Sequence, residues 1–143
     1  MCLVLIVEDN VTFRHSLMDV LRTQFPSMGI EEASDSEEAL LKLRVLEPDL
    51  IFMDIKLPGR NGLELTRTIK STNSAIEIII LTSYDIPEYR EAAIRSGASH
   101  FLTKGNASGD DIAHVVVSTL ASRGKRCETP NPACRGCVTG HPG

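Results

Sequence analysis

Five polar residues of this chain combine types and spacing that amount to chemistry: Glu8, Asp9, Asp54, Thr82 and Lys104. Each stands at or just past the carboxyl edge of a short apolar run, at residues 3–7, 50–53, 78–81 and 101–102. Runs of four or five consecutive apolar residues read as strands buried on both faces, as in a parallel sheet covered by helices. Sheets of that kind bind their ligands just beyond the carboxyl ends of the strands. Three carboxylates, a hydroxyl and an ammonium group are therefore expected to converge on one small site. Clustered carboxylates repel and raise one another's pKa unless a cation sits between them. Mg²⁺ is the natural counter-ion, because it prefers hard oxygen ligands, keeps several waters and shares its remaining positions with phosphate. Any one acid at a loop start is ordinary; the joint placement of all five groups is what points to phosphoryl and metal chemistry.

The elements that must position these groups alternate five times between strand and helix. After the first strand, Phe13, Leu17, Leu21 and Phe25 recur at every fourth position and mark the buried face of a helix, with Asn10 as its N-cap and Pro26 beyond its end. Residues 30–33 form a second, less apolar strand, expected nearer the sheet edge. Ser34, Asp35 and Ser36 read as cap residues, with Glu37 three positions after Ser34 as in a capping box, and open a helix that carries Leu40, Leu43 and Leu46 and stops at Pro48. The third unit continues from Asp54 through a loop to a helix with Leu65 and Ile69 on one face. In the fourth, Asp85 reads as a cap, Pro87 as a first-turn proline and Gly97 as a left-handed C-terminal residue. The last strand leads to a helix with Ile112, Val115, Val116 and Leu120 on one face. Five βα units of this length predict an α/β fold, a doubly wound (βα)5 three-layer sandwich around a five-stranded parallel sheet.

Bulk properties agree with a single globular unit. The chain has 143 residues, 42% hydrophobic and 24% charged, with a net charge of −4 that argues against direct binding to nucleic acid. No apolar run approaches the roughly 20 residues that span a bilayer, and Met1 to Val7 enters a strand directly, without the basic and small-residue features of a signal peptide. A cytoplasmic location with no membrane partner is the resulting expectation. Residues 1–123 read as one domain. Residues 124–143 hold three Pro, four Gly and three of the four Cys, with almost no aliphatic residues, and read as a flexible Cys/Pro/Gly-rich tail. There Cys127, Cys134, Cys137 and His141 form C-x6-C-x2-C-x3-H, a donor set suited to tetrahedral zinc. The first spacing is long and Pro130 and Pro132 stiffen it, so a disordered tail is the expectation over a zinc mini-domain.

Glu8-Asp9, Asp54 followed by Ile55-Lys56-Leu57-Pro58-Gly59, Thr82-Ser83 and Phe101-Leu102-Thr103-Lys104 resemble the receiver domain of bacterial two-component response regulators. The resemblance runs over all five βα units and implies a flavodoxin-like, CheY-like fold. It implies that Asp54 accepts a phosphoryl group from a histidine kinase or phosphotransfer protein. Asp9, Asp54 and the backbone carbonyl of Lys56 would hold Mg²⁺, with Glu8 acting through water. Lys104 would supply a mobile charge to the phosphoryl oxygens. Thr82 would report the phosphoryl group, and Phe101, lacking a hydroxyl, would switch between two positions that differ by burial alone. Altered contact with a downstream protein effector, or a homodimer, would be the output. The chain departs from the family at Gly105, where a proline in a cis bond commonly follows the lysine, and at Glu8, where aspartate is frequent.

Two other functions compete. A phosphatase of the haloacid-dehalogenase type also uses a strand-end aspartate, but it requires a second aspartate two residues on, where this chain has Lys56. Turnover of an external substrate is therefore not expected. A degenerate receiver acting as a phosphorylation-independent binding module usually lacks the acidic pair, the acceptor or the lysine, and all are present. His15, His100 and His114 have no partners in the sequence pattern that would make them catalytic.

Overall fold

The computed structural model describes residues 2–122. Five strands alternate with five helices: β1 (Leu3–Val7), α1 (Val11–Gln24), β2 (Gly29–Ala33), α2 (Ser36–Lys42), β3 (Leu50–Met53), α3 (Gly62–Thr72), β4 (Glu77–Thr82), α4 (Pro87–Ser96), β5 (His100–Thr103) and α5 (Gly109–Ser122). The strands form one parallel sheet in the order β2-β1-β3-β4-β5. The doubly wound sheet read from the alternation of elements is thus the observed fold, and β2, the least apolar strand, does lie at an edge. The chain reverses its direction of travel across the sheet between β1 and β3, so the crevice of a doubly wound fold opens beyond these two strands.

Successive residues of a strand point to opposite faces, and the sheet has a core on each side. Val4 and Ile6 of β1, Leu50 and Phe52 of β3, and Ile79 and Leu81 of β4 pack with Leu17 and Leu21 of α1 and with Ile112, Val116 and Leu120 of α5. Leu5, Val7, Ile51, Met53, Ile78 and Ile80 pack on the other face with Ala39 of α2, Leu65 and Ile69 of α3 and Ala93 of α4. The four residues of β3 are all buried, which is why they read as an unbroken apolar run.

Helix ends follow the capping chemistry, in two cases shifted by a residue. Asn10 caps α1 through its side-chain oxygen, which accepts from the Phe13 amide at 2.9 Å. At α2 the expected Ser34–Glu37 box is displaced: Asp35 is the N-cap and accepts from the Glu38 amide, while the Glu38 carboxylate reaches back to the Ser34 amide and hydroxyl. The register moves because Ser36, not Glu37, is the helical residue turned inward, buried beside Pro58. α2 also stops earlier than Pro48. From Leu43 to Leu46 the chain descends through tight turns, with the Leu46 amide bonded to the Lys42 carbonyl, and reaches Asp49, whose amide donates to Leu3. At α4 the N-cap is Ile86 rather than Asp85, and Pro87 opens the helix. Asp85 instead pairs with Arg90 at 2.8 Å. Gly97 ends α4 at φ 103, a left-handed conformation that a side chain would strain.

No cis peptide bond occurs among the described residues, so Lys104–Gly105 is trans. No helix among them is long and apolar enough to cross a membrane. The tail motif of Cys127, Cys134, Cys137 and His141 lies outside the described residues.

Candidate functional site

The site is assembled by continuing the sheet ladder one step past the strands. The Glu8 amide donates to the Ala33 carbonyl at 2.9 Å, the Asp54 amide to Val7 at 3.1 Å and the Lys104 amide to Thr82 at 2.8 Å. Three loops therefore leave the sheet at nearly one level, with their first polar side chains gathered at its carboxyl edge. Side-chain alternation directs them. Asp54 continues the face of Phe52 and Leu50, whereas Thr82 continues the face of Ile80, the residue that pairs with Phe101. Thr82 and Phe101 thus share the sheet face covered by α4.

Carboxylate oxygens of Glu8, Asp9 and Asp54 lie within 4.8 Å of one another. Asp9 is exposed, while Glu8 and Asp54 are buried, at 3% and 6% relative exposure. The Asp54 carboxylate is held unequally on its two sides: Oδ1 accepts from the Ile55 amide at 2.8 Å, whereas Oδ2 has a longer contact of 3.4 Å with the Lys104 ammonium. Lys104 bridges the two buried acids, with Nζ 2.6 Å from Glu8 Oε1, and it lies 4.5 Å over the Phe13 ring. The other Glu8 oxygen accepts from the Asn10 amide at 2.9 Å. Burial pushes the Glu8 carboxyl above its ordinary pKa, a shift that its bonds to Lys104 and Asn10 oppose without cancelling. Three acids against one ammonium leave a net negative, all-oxygen donor set with one open side. Those donors suit a hard divalent cation that retains waters, and Mg²⁺ fits them.

Thr82 is fully buried, and its hydroxyl accepts from the Tyr84 amide at a long 3.4 Å. Lys56 is exposed, with its ammonium 5.4 Å and 5.8 Å over the rings of Tyr84 and Tyr89, which meet edge to face at 6.3 Å. Phe101 is half-buried, and the Arg90 guanidinium lies 4.7 Å over its ring. Burial alone therefore does not describe its position: a cation–π contact, itself anchored by Asp85, holds it as well. Sequence reasoning read Phe13 only as a residue of the buried face of α1, without its contact to Lys104, and passed over Arg14, Gly62 and Arg90. Only Gly62 carried a signal of its own, as a glycine directly after the N-cap Asn61, where close backbone approach is the common reason.

A sequence profile described as "Response regulator receiver domain" matches residues 4–116. The chain belongs to that family. Among curated relatives, the receiver is 33% identical over 125 residues to the uncharacterized transcriptional regulatory protein YvfU of Bacillus subtilis, covering 87% of this chain and 61% of the relative. It is 35% identical over 101 residues to the chemotaxis protein CheY of Halobacterium salinarum, covering 71% of this chain and 82% of that protein. The chain spans only 52–61% of the length of the transcriptional regulators it matches. Among solved structures, the response regulator TrrA of Thermotoga maritima, in complex with Mg²⁺ and BeF, superposes with a TM-score of 0.74 at 30% identity, covering 84% of this chain and 100% of that one. A CheY-like receiver from Methanospirillum hungatei superposes with a TM-score of 0.80 at 24% identity, over 87% of this chain and 97% of that one, a likeness of fold.

Proposed function

We propose that this receiver is phosphorylated on Asp54 in a Mg²⁺-dependent reaction and that Thr82 and Phe101 relay the event to a protein partner. The observation that carries the proposal is the carboxylate cluster beyond β1 and β3 with Lys104 bridging it. Asp54 Oδ2, the less engaged oxygen, attacks the phosphorus of a phosphohistidine. A phosphorus–oxygen bond forms, the phosphorus–nitrogen bond breaks, and the departing imidazole nitrogen takes up a proton. Little covalent assistance is needed, so catalysis rests on positioning and on neutralising oxygen charge. Asp9, Asp54 and the Lys56 carbonyl would hold Mg²⁺ directly and Glu8 through water; bound there, the ion offsets charge on the phosphoryl oxygens. Lys104 exchanges its contacts with Glu8 and Asp54 for the phosphoryl group. The Thr82 hydroxyl, committed only to a long contact in the free state, turns to a phosphoryl oxygen and draws the loop after β4 inward.

The receiver unit is taken as residues 1–123 of a cytoplasmic protein, a histidine kinase or phosphotransfer protein as donor and a downstream protein as effector. The regulators among its relatives support a link to transcription. With its net charge of −4, the contact with nucleic acid is assigned to a partner or another region. Incubation with acetyl phosphate and Mg²⁺ tests the reading: one hydroxylamine-labile phosphoryl group should appear in the wild type and none in Asp54→Asn. Undiminished labelling of that variant overturns the assignment.

A further inference from the structure

The Glu8 carbonyl is the first on β1's exit with no strand neighbour to donate to it, since the ladder ends with the Glu8 amide on Ala33. Arg14, one turn into α1, supplies the missing donor. Its Nη1 donates to the Glu8 carbonyl at 2.7 Å, and its Nε is paired with Glu32 Oε1 of β2 at 2.6 Å. Only 12% of the Arg14 side chain is exposed. The rigid guanidinium thus ties together three elements, α1, β2 and the β1–α1 turn, at the peptide that carries Asp9. A neighbouring contact works the same way: Asn10 donates its amide to the Glu8 carboxylate while accepting the Arg14 amide on its carbonyl at 2.9 Å.

We infer that Arg14 is a positioning residue for the metal site: by fixing the Glu8–Asp9 peptide against β2, it sets the approach of the Asp9 carboxylate to Asp54. The inference rests on the Mg²⁺ reading of the site. Lysine replaces the arginine only in part, because one ammonium on a flexible stem can keep a contact but does not reproduce two donors in a fixed fork. Charge and geometry make opposite forecasts. Removing a cation near three acids would by itself tighten Mg²⁺ binding; losing the support of a carboxylate-bearing peptide weakens it, and groups that orient ligands are commonly worth about tenfold or more in metal affinity.

Calorimetric Mg²⁺ titration of the full chain, at fixed pH and ionic strength, separates the two. Arg14→Gln should weaken binding about tenfold, and Arg14→Lys, which conserves charge, should weaken it by a smaller factor. In acetyl phosphate labelling, Arg14→Lys should raise the Mg²⁺ concentration for half-maximal rate while the rate at saturating Mg²⁺ stays within about twofold of wild type. Tighter or unchanged Mg²⁺ binding in Arg14→Gln overturns the inference. If that variant does not fold, unchanged binding in Arg14→Lys overturns it equally. A wild type that binds no Mg²⁺ overturns the metal reading and this inference together, whereas a wild type that binds it indistinguishably from both variants overturns this inference alone.

Discussion

Gly62 opens α3 directly beneath the aspartate proposed to accept the phosphoryl group, and Gly62→Ala turns that proximity into a measurement. A Cβ placed there meets the Asp54 carbonyl oxygen at 1.9 Å, the Asp54 carbonyl carbon at 2.8 Å and Ile55 Cα at 3.0 Å. The first distance is about 1.5 Å shorter than ordinary contact, so either the Asp54 peptide or the start of α3 must move. The helix start is not free to yield. The Gly62 amide donates to the Ile55 carbonyl at 2.8 Å, and the Gly62 carbonyl accepts from the Thr66 hydroxyl at 2.8 Å. Overpacking against a close-packed interior costs about 1–3 kcal/mol, offset by the roughly 0.5–1 kcal/mol that alanine gains over glycine in a helix. Here the obstructing atoms are backbone, which places the net loss near the upper end, at about 2 kcal/mol. With a urea dependence of about 1–3 kcal/mol/M for a small protein, the unfolding midpoint should fall by roughly 1 M. The displaced Asp54 should lose about a hundredfold in labelling rate, as misplacement by 1 Å commonly does. Gly105→Ala is the control, because a Cβ there meets nothing within 4 Å; its stability should remain within about 0.5 kcal/mol of wild type. A wild-type midpoint in Gly62→Ala would refute the packing argument. A lowered midpoint with unchanged labelling would refute the link from Gly62 to the Asp54 carboxylate.

Three further outcomes follow from the site. Thr82→Ala should still accept a phosphoryl group, because Asp54 and Lys104 remain, but the change in amide exchange over residues 83–97 that accompanies phosphorylation should disappear; a full wild-type response would remove Thr82 from the relay. Tyr84→Ala strips one of the two rings under the Lys56 ammonium and opens the path of a hydrolytic water, so the phosphoryl lifetime should shorten several-fold, and an unchanged lifetime counts against that shielding. Burial raises the Glu8 pKa, so the fold favours protonated Glu8; the stability tied to that proton is present below the ordinary value of 4.5 and is lost as pH rises through the raised value. Metal-free wild type should therefore lose stability relative to Glu8→Gln as pH climbs above 4.5 in thermal melts with chelator, and a pH-independent difference between the two would contradict it.

The order of elements, the parallel sheet and the edge position of β2 were legible in the residues themselves. Unbroken apolar runs at β1, β3 and β4, helical spacing such as Leu17 to Leu21 and local signals such as Asn10, Pro87 and Gly97 act over a few residues and leave a readable trace. Cap positions at Ser34 and Asp85 were less legible. The competing side chains are adjacent in sequence, and contacts from elsewhere, Pro58 on Ser36 and Arg90 on Asp85, select between them. Residue types and strand ends gathered Glu8, Asp9, Asp54, Thr82 and Lys104, but tertiary structure alone decided how they meet. It buried Glu8, left Asp9 exposed, and set Lys104 between Glu8 and Asp54 across ninety-six and fifty residues of chain. It also brought in groups that carry no chemical signature in one dimension, a guanidinium against a carbonyl and a ring under an ammonium, and it set Gly62, marked in sequence only by its place after a cap, against the Asp54 peptide. The physical reason is range. Propensity and periodicity are properties of neighbours along the chain, whereas desolvation, ion pairing and steric contact depend on which distant atoms the closed fold brings within a few ångströms.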